Sequence, residues 1–444
     1  MSPSESPPIR PPLTVAMLAL VIAGEAIFFL PFVIARVFRP TLLEVFGISN
    51  LELGLAFSAY GVTAMLAYFP GGPLADAFAP RKMMTLALLS TSLGGVLLAT
   101  IPSLGMMKWL YAYWGLTTIL LFWAAMIRAT REIGGEAFSG TAFGILDGGR
   151  GLVAAASGSI AVLIYAWLLP TDPDSATLAQ RTDAFEQVIL VFAGLTLGSA
   201  VLVWFAVRGD ENQTAMPHQT AIPHQTMLPR QSEAVEPKIT LSGAVAVVKM
   251  PTVALQAVII VCAYVGYKGL DDISLYAREV LGYDEVAAAH TSTVSMWIRP
   301  VAAIMAGIIA DRSRISSVTA LSFLVVALGC SAIALGVFKP GMNVFFFGTI
   351  IATSAAVFAL RGLYFAIMQE GDVPFHYTGT AVGVVSAIGY TPDVFMGPMM
   401  GKLLDDSPGA LGHQHLFAMV ALFALIGCVA SLAFPLLRKA PKRV

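Results

Sequence analysis

The chain alternates long apolar runs with short polar breaks. Runs of about 17 to 25 apolar residues are long enough to cross a hydrocarbon layer as helices. They predict twelve spans: 13–36, 51–72, 83–101, 109–127, 140–169 and 185–207, then 251–275, 286–309, 316–338, 343–365, 378–400 and 415–437. An even number of spans puts both termini on one side. The first run is longer than a signal-peptide core, so a retained first span is expected. Residues 208–242 interrupt the series with a polar stretch containing PHQTAIPHQT. That stretch is too hydrophilic to bury a core and reads as a flexible linker. The expected organisation is a tail over 1–12, a six-helix bundle over 13–207, the linker over 208–242, a second bundle over 243–437 and a tail over 438–444.

Composition fixes the class. Hydrophobic residues make up 57% of the chain and charged residues 12%, whereas a soluble domain carries about 25% charged residues. The reading is an all-α integral membrane protein that spans the membrane many times. A net charge of −1 and the absence of a basic stripe with interleaved aromatics argue against nucleic-acid binding. Cys262, Cys330 and Cys428 fall in apolar runs, which disfavours a disulfide framework and leaves no CxxC site. His218 and His224 fall in the linker, and His413 and His415 at a span entrance, none with the spacing of a metal site. No cofactor is expected. Without an HExxH, GxSxG or P-loop pattern there is also no basis for an enzyme. Lys and Arg are more numerous on the side of the linker and tails, which places that side in the cytoplasm.

The halves repeat each other. LLEVFGIS (42–49) matches AREVLGYD (277–284), GPLAD (72–76) matches GIIAD (307–311), and SGTAFGIL (139–146) matches TGTAVGVV (378–385). The order is conserved and the spacing nearly constant, as expected of a duplicated transporter with two pseudo-symmetric six-helix bundles.

GGPLADAFAPRK (71–82), with AGIIADRSR (306–314) as its second-half echo, resembles the G-x-L-x-D-x-x-G-R-K signature of the Major Facilitator Superfamily. The resemblance covers essentially the whole chain. It implies two bundles that rock about a central site, latched by signature loops on the cytoplasmic side. Asp76, Arg81, Lys82, Asp311 and Arg312 would then act in gating. Ala79 and Pro80 depart from the usual glycine. FGILDGGRGL (143–152), ALRGLYFAIMQEGDVP (359–374) and TGTAVGVVSAIGYTPD (378–393) look like a bacterial branch related to YihN. STVSMWIRPVAA is similar to organic-anion exchangers of the oxalate and formate type, in which an arginine of the eighth span holds a carboxylate; Arg299 takes the comparable place. The resemblance also implies that spans three, six, nine and twelve face lipid, and these spans carry almost no interior charge.

The charges inside the spans are Glu25, Asp147, Arg150, Lys268, Asp271, Asp272, Arg299, Arg361 and Asp393. A central charge costs about 2.5 to 3.5 kcal/mol on the insertion scale, so these groups must be paired or face water. Counting 1.5 Å of rise per residue, Glu25, Arg150 and Arg299 fall near the midplane. Lys268, Asp271 and Asp272 approach the outer face and Arg361 the inner. Lys268 can neutralise Asp272 at i+4 or Asp271 at i+3, in a structural or gating role, with ion coupling or direct substrate contact as the alternative. Arg361, with Glu370 and Asp372 nearby in sequence, reads as a gate or an anchor rather than a substrate contact. Glu25 is a proton carrier or an arginine's partner, and Asp393 a coupling acid or a hinge-associated ion pair. Asp147 and Arg150 either neutralise each other or Asp147 aims Arg150 into the cavity. Gly140, Gly144, Gly148, Gly151, Ala155 and Gly158 form a small-residue stripe that permits close helix approach. With spans five and eight adjacent, as the resemblance implies, Arg150 and Arg299 would form a forked anion clamp. Aromatics to complete the site are Phe28, Phe29, Tyr60, Tyr68, Trp123, Tyr267, Trp297, Tyr364 and Tyr390, most of them expected to pack rather than touch a ligand.

The expected function is a monomeric secondary active transporter in a bacterial inner membrane. It would move a small organic anion by proton coupling or exchange. Two rivals stand beside it: a proton-coupled exporter of lipophilic or cationic compounds, which predicts a midplane rich in acids and aromatics, and a transporter-like receptor without flux.

Overall fold

A computed structural model describes residues 14–207, 249–310, 312–371 and 378–437. The predicted linker over 208–242 and both predicted tails lie outside these residues, as does Asp311. Twelve helical passes are described. The first six are α1 (Val15–Val37), α2 (Asn50–Ala77), α3 (Pro80–Leu98), α4 (Leu104–Gly134), α5 (Thr141–Leu168) and α6 (Leu178–Ala206). The second six are α7 (Pro251–Glu279), α8 (Glu285–Ala310), α9 (Ile315–Ala334), α10 (Asn343–Leu363), α11 (Thr378–Gly389 continued by Pro392–Asp406) and α12 (Ala410–Ala433). Nine of the helical stretches among the described residues are long and apolar enough to cross a membrane. Each set of six forms a bundle with its own apolar core. The end at which the described chain starts and finishes is called the terminal end below, and the opposite end the far end.

Local signals explain where the helices begin. Ser49 caps α2 with a reciprocal box to Glu52, and Thr177 caps α6 likewise with Gln180, satisfying first-turn N–H groups that have no helical partner. The matched motifs of the two halves share a backbone feature. Gly47 and Gly282 both have positive φ, 59° and 71°, which glycine adopts without the Cβ penalty of other residues. Between α4 and α5 the backbone stays helical through the polar segment, so that the helical stretch runs from Ala124 to Leu168. Hydropathy marked a polar segment there, but helix propensity does not require an apolar environment, and this stretch contains no proline to stop the helix.

α3 packs on α6 and α9 on α12. All four expose apolar side chains, among them Leu93, Leu197, Leu321 and Val429, as outer helices facing lipid would. The two bundles meet along α2 with α11 and along α5 with α8. In the first contact backbone lies on backbone: a Cβ on Gly54 would sit 2.2 Å from the carbonyl oxygen of Gly397. One on Gly61 would sit 2.4 Å from that of Asp393, and one on Gly401 2.4 Å from that of Asn50. Only glycine permits this approach, the small-residue packing used between membrane helices.

The far end is tied shut across the bundles. Arg36 pairs with Asp271, Arg181 with Glu285 at 3.1 Å and Arg278 with Asp174 at 2.7 Å. The Tyr165 hydroxyl donates to Glu285 at 2.7 Å, and Asp405 accepts from the backbone N–H groups of Asn50 and Leu51.

Candidate functional site

Between the bundles lies a cavity of about 910 Å³, counting space continuous with solvent. It is built where the helices are irregular. The backbone widens to π-helix over Phe29–Val33, which includes Pro31, and again over Leu116–Trp123. α7 tightens to 3-10 over Leu270–Asp272, and α11 breaks at Tyr390 and Thr391, just before Pro392. A proline removes a backbone donor and its ring crowds the preceding helical turn, and π-bulges inside helices occur frequently at functional sites. Phe32, Val33, Ile119, Trp123, Tyr390 and Asp393, all at or beside these irregularities, line the cavity.

Five cations line it: Arg36, Arg150, Lys268, Arg299 and Arg361. Four of them have carboxylate partners. Arg150 and Arg299 share Glu25, at 3.3 Å and 3.4 Å, and Arg299 also reaches Asp147 at 3.2 Å. Lys268 pairs with Asp393 at 2.8 Å, and Arg36 with Asp271. Arg361 has no carboxylate within salt-bridge distance among the described residues; its guanidinium lies over the Tyr267 ring at 3.9 Å. Among the described residues four carboxylates thus face five cations, and Arg361 is the cation left without one. A cation over an aromatic face is stabilised without being neutralised.

GILDGGRG now has a physical account. A Cβ on Gly149 would meet Val21 of α1 at 2.6 Å, and one on Gly151 would meet Arg299 of α8 at 3.1 Å. The two glycines let α1 and α8 close on either side of Arg150, whose Nε donates to the Gly24 carbonyl at 2.9 Å. Of the predicted stripe, Gly151 and Gly158 face α8, whereas Gly144 and Gly148 face open space.

Several expected pairings are corrected. Asp147 and Arg150 do not neutralise each other, because Arg150 turns to α1 and Asp147 to α8. Lys268 bonds neither Asp271 nor Asp272: the 3-10 turn at Leu270–Asp272 replaces the α-helical geometry that would align i+3 and i+4. Asp271 and Asp272 line no part of the main cavity, and Asp272 instead bonds His413. Lys268 and Arg361, placed by rise alone toward opposite faces, line the same cavity as Arg150 and Arg299. Counting rise treats every helix as straight and ignores the reach of Lys and Arg side chains.

Among the aromatics, Phe28, Tyr60, Tyr68, Trp123, Tyr267 and Tyr390 line the cavity. Tyr364 stands behind, its hydroxyl 3.3 Å from that of Tyr390. Phe29 packs on Phe192 inside the first bundle, and the Trp297 indole donates to Ser159. Asp76 is exposed at the end of α2, Arg81 stacks over Trp204, and Lys82 and Arg312 are exposed. Sequence reasoning passed over Arg36 and Tyr264; the Tyr264 hydroxyl donates to Asp393 at 3.0 Å. A signal for Arg36 was present: it lies 235 residues before Asp271, the same offset as the repeat. The two are equivalent positions of the two halves, facing each other across the pseudo-symmetry axis. No group of three or more His, Cys, Asp or Glu able to hold a metal occurs among the described residues.

Relatives agree with this architecture. Inner membrane protein YqcE of Escherichia coli (strain K12) is 28% identical over 407 residues, 91% of this chain and 90% of that protein. Inner membrane protein YihN of the same strain is 22% identical over 416 residues, 93% of each. Among solved structures, the nucleoside transporter NupG superposes with a TM-score of 0.69 at 12% identity, over 94% of this chain and 98% of that one. A bacterial homolog of the human lysosomal transporter Spinster, inward-facing and occupied, reaches 0.70 at 15% identity, over 96% and 98%. The D-xylose-proton symporter reaches 0.69 at 13% identity, over 95% of each. The sequence profile of the Major Facilitator Superfamily matches residues 20–398, and with its twelve helices in two bundles around a charged central cavity, the chain belongs to that superfamily.

Proposed function

We propose that the protein is a secondary active transporter that moves a small organic anion by alternating access. The observation that carries this reading is the unneutralised guanidinium of Arg361 in the cavity. An anion supplies the charge the cavity lacks. A cationic substrate would add a sixth positive charge, and the acid-rich midplane required of a cation exporter is not what lines this cavity. The anion rests against Arg361 and Tyr267 and competes with Glu25 for Arg150 and Arg299, whose planar forks suit a carboxylate, sulfonate or phosphate. Tyr60, Trp123 and Tyr390 form its walls. Asp76, Arg81, Lys82, Asp311 and Arg312 act in switching at the terminal end.

A thermal-shift screen of the purified protein against carboxylates, sulfonates, phosphates, neutral sugars and organic cations tests the substrate class. Ligands that bind the folded state raise its melting temperature. Anions are expected to do so and cations not; stabilisation by cations alone would remove the reading. Flux of the winning anion into proteoliposomes separates a transporter from a receptor.

The terminal end faces the cytoplasm and the far end the periplasm of a bacterial inner membrane, the membrane named for the two relatives. Single cysteines introduced at Gln219 and Ser175, in a background lacking the three native ones, should label from opposite sides of intact cells. Labelling from one side would refute both the orientation and the pass count.

A further inference from the structure

We infer that His413, held between Asp272 and Glu279, is a proton-binding site whose occupancy governs opening of the far end. The inference rests on the alternating-access reading and adds to it the site at which a proton acts. His413 is wholly buried at the start of α12. Its Nδ1 lies 2.6 Å from Asp272 and its Nε2 3.1 Å from Glu279. Two nitrogen-to-carboxylate contacts need two shared protons, and a neutral imidazole brings one. The triad is therefore a seat for one further proton.

Its counterpart in the first half sharpens this. Glu279 is the repeat equivalent of Glu44, and His413, the fourth residue of α12, corresponds to Arg181, the fourth residue of α6. Arg181 holds Glu44 at 2.8 Å as His413 holds Glu279. Arginine is charged at every accessible pH, whereas histidine is the side chain that titrates near neutrality. The same scaffold carries a permanent cation in one bundle and a titratable one in the other.

The triad reaches across the interface. Asp272 Oδ1 is buried without a hydrogen-bond partner and lies 4.0 Å from Nε of Arg39, a residue of the first bundle that donates to Asn50 at the mouth of α2. The groups around the triad are these. From α7 come Lys268, committed to Asp393, and Tyr276, whose ring stands edge-on to His413; Arg278 is committed to Asp174. From α11 come Asp405, committed to Asn50 and Leu51, and Lys402 with Asp406, which pair with each other. α9 carries no charge within its span. Arg39 is thus the cation that opposes protonation of the triad while the far end is closed. Opening withdraws it, so the open state binds the proton more tightly, and by linkage acid populates the open state.

Nitroxide labels at Thr171 and Lys339, exposed in far-end loops of the two bundles, read this out by distance measurement on the full-length protein. The native distance should lengthen on acidification, with a midpoint above the ordinary histidine value of about 6.5, because two carboxylates favour the imidazolium. H413Q should flatten the titration. H413R, copying the first half, should hold the acid-like distance at all pH values. E279Q should move the midpoint acidward by about one unit, because a carboxylate that favoured the imidazolium is gone. A native distance independent of pH, or an H413R protein that titrates like the native one, overturns the inference. H413R and E279Q carry the test if H413Q does not fold. Anion binding in the thermal-shift screen without this titration sinks the proton site alone; the titration without anion binding sinks the substrate reading alone.

Discussion

Arg361→Ala should abolish high-affinity anion binding while leaving the protein folded. Removing one partner of a desolvated charge pair costs about 2 to 5 kcal/mol, which at 1.4 kcal/mol per decade is a loss of roughly 30-fold to several-thousand-fold in affinity. Folding should survive, because Arg361 holds no carboxylate that its loss would strand; it lies over Tyr267. Arg361→Lys keeps the charge but loses the planar stack and should fall between the native protein and alanine. Arg150→Ala and Arg299→Ala behave differently, since each withdraws a cation from Glu25 and should lower thermal stability together with affinity. Titration calorimetry with an anion from the screen gives the ranking. Affinity unchanged in Arg361→Ala, but lost in both other variants, would move the anion site to the Arg150 and Arg299 fork.

Gly54→Ala should slow transport without stopping binding. Its Cβ would sit 2.2 Å from a backbone oxygen of α11, and a backbone atom cannot rotate out of the way as a side chain can. Overpacking of this kind costs about 1 to 3 kcal/mol, which shifts the balance between closed and open far end by roughly 5-fold to 150-fold. The penalty applies only where α2 and α11 touch, so the closed state bears it. The expected result is a longer distance between labels at Thr171 and Lys339, flux lost in about the same proportion as the shift, and anion affinity little changed. Gly105→Ala, where nothing lies within 4 Å, is the control. Native flux in Gly54→Ala would show that the glycine contact does not limit closure.

The sequence by itself determined the class, the twelve passes, the two halves and their family, because each of these is written along one dimension. Apolar length reports on the bilayer. The matched glycines at 47 and 282 report on a local turn that each half must make by itself. Composition likewise determined that Arg150 and Arg299 needed company, since charge in an apolar span must be satisfied. Which company was decided only by the tertiary structure. Glu25 serves both arginines, Asp393 takes Lys268, and His413 takes Asp272. These partners come from helices far apart in sequence, and the spacing rules that relate i to i+3 and i+4 hold only inside one regular helix. At α7 and α11 the helix is not regular, which is why the local pairing of Lys268 failed. Arg361 joined the cavity for the same reason: depth along a chain is fixed by residue count, but the direction in which a side chain faces is fixed by how its helix is broken, turned and packed against its neighbours.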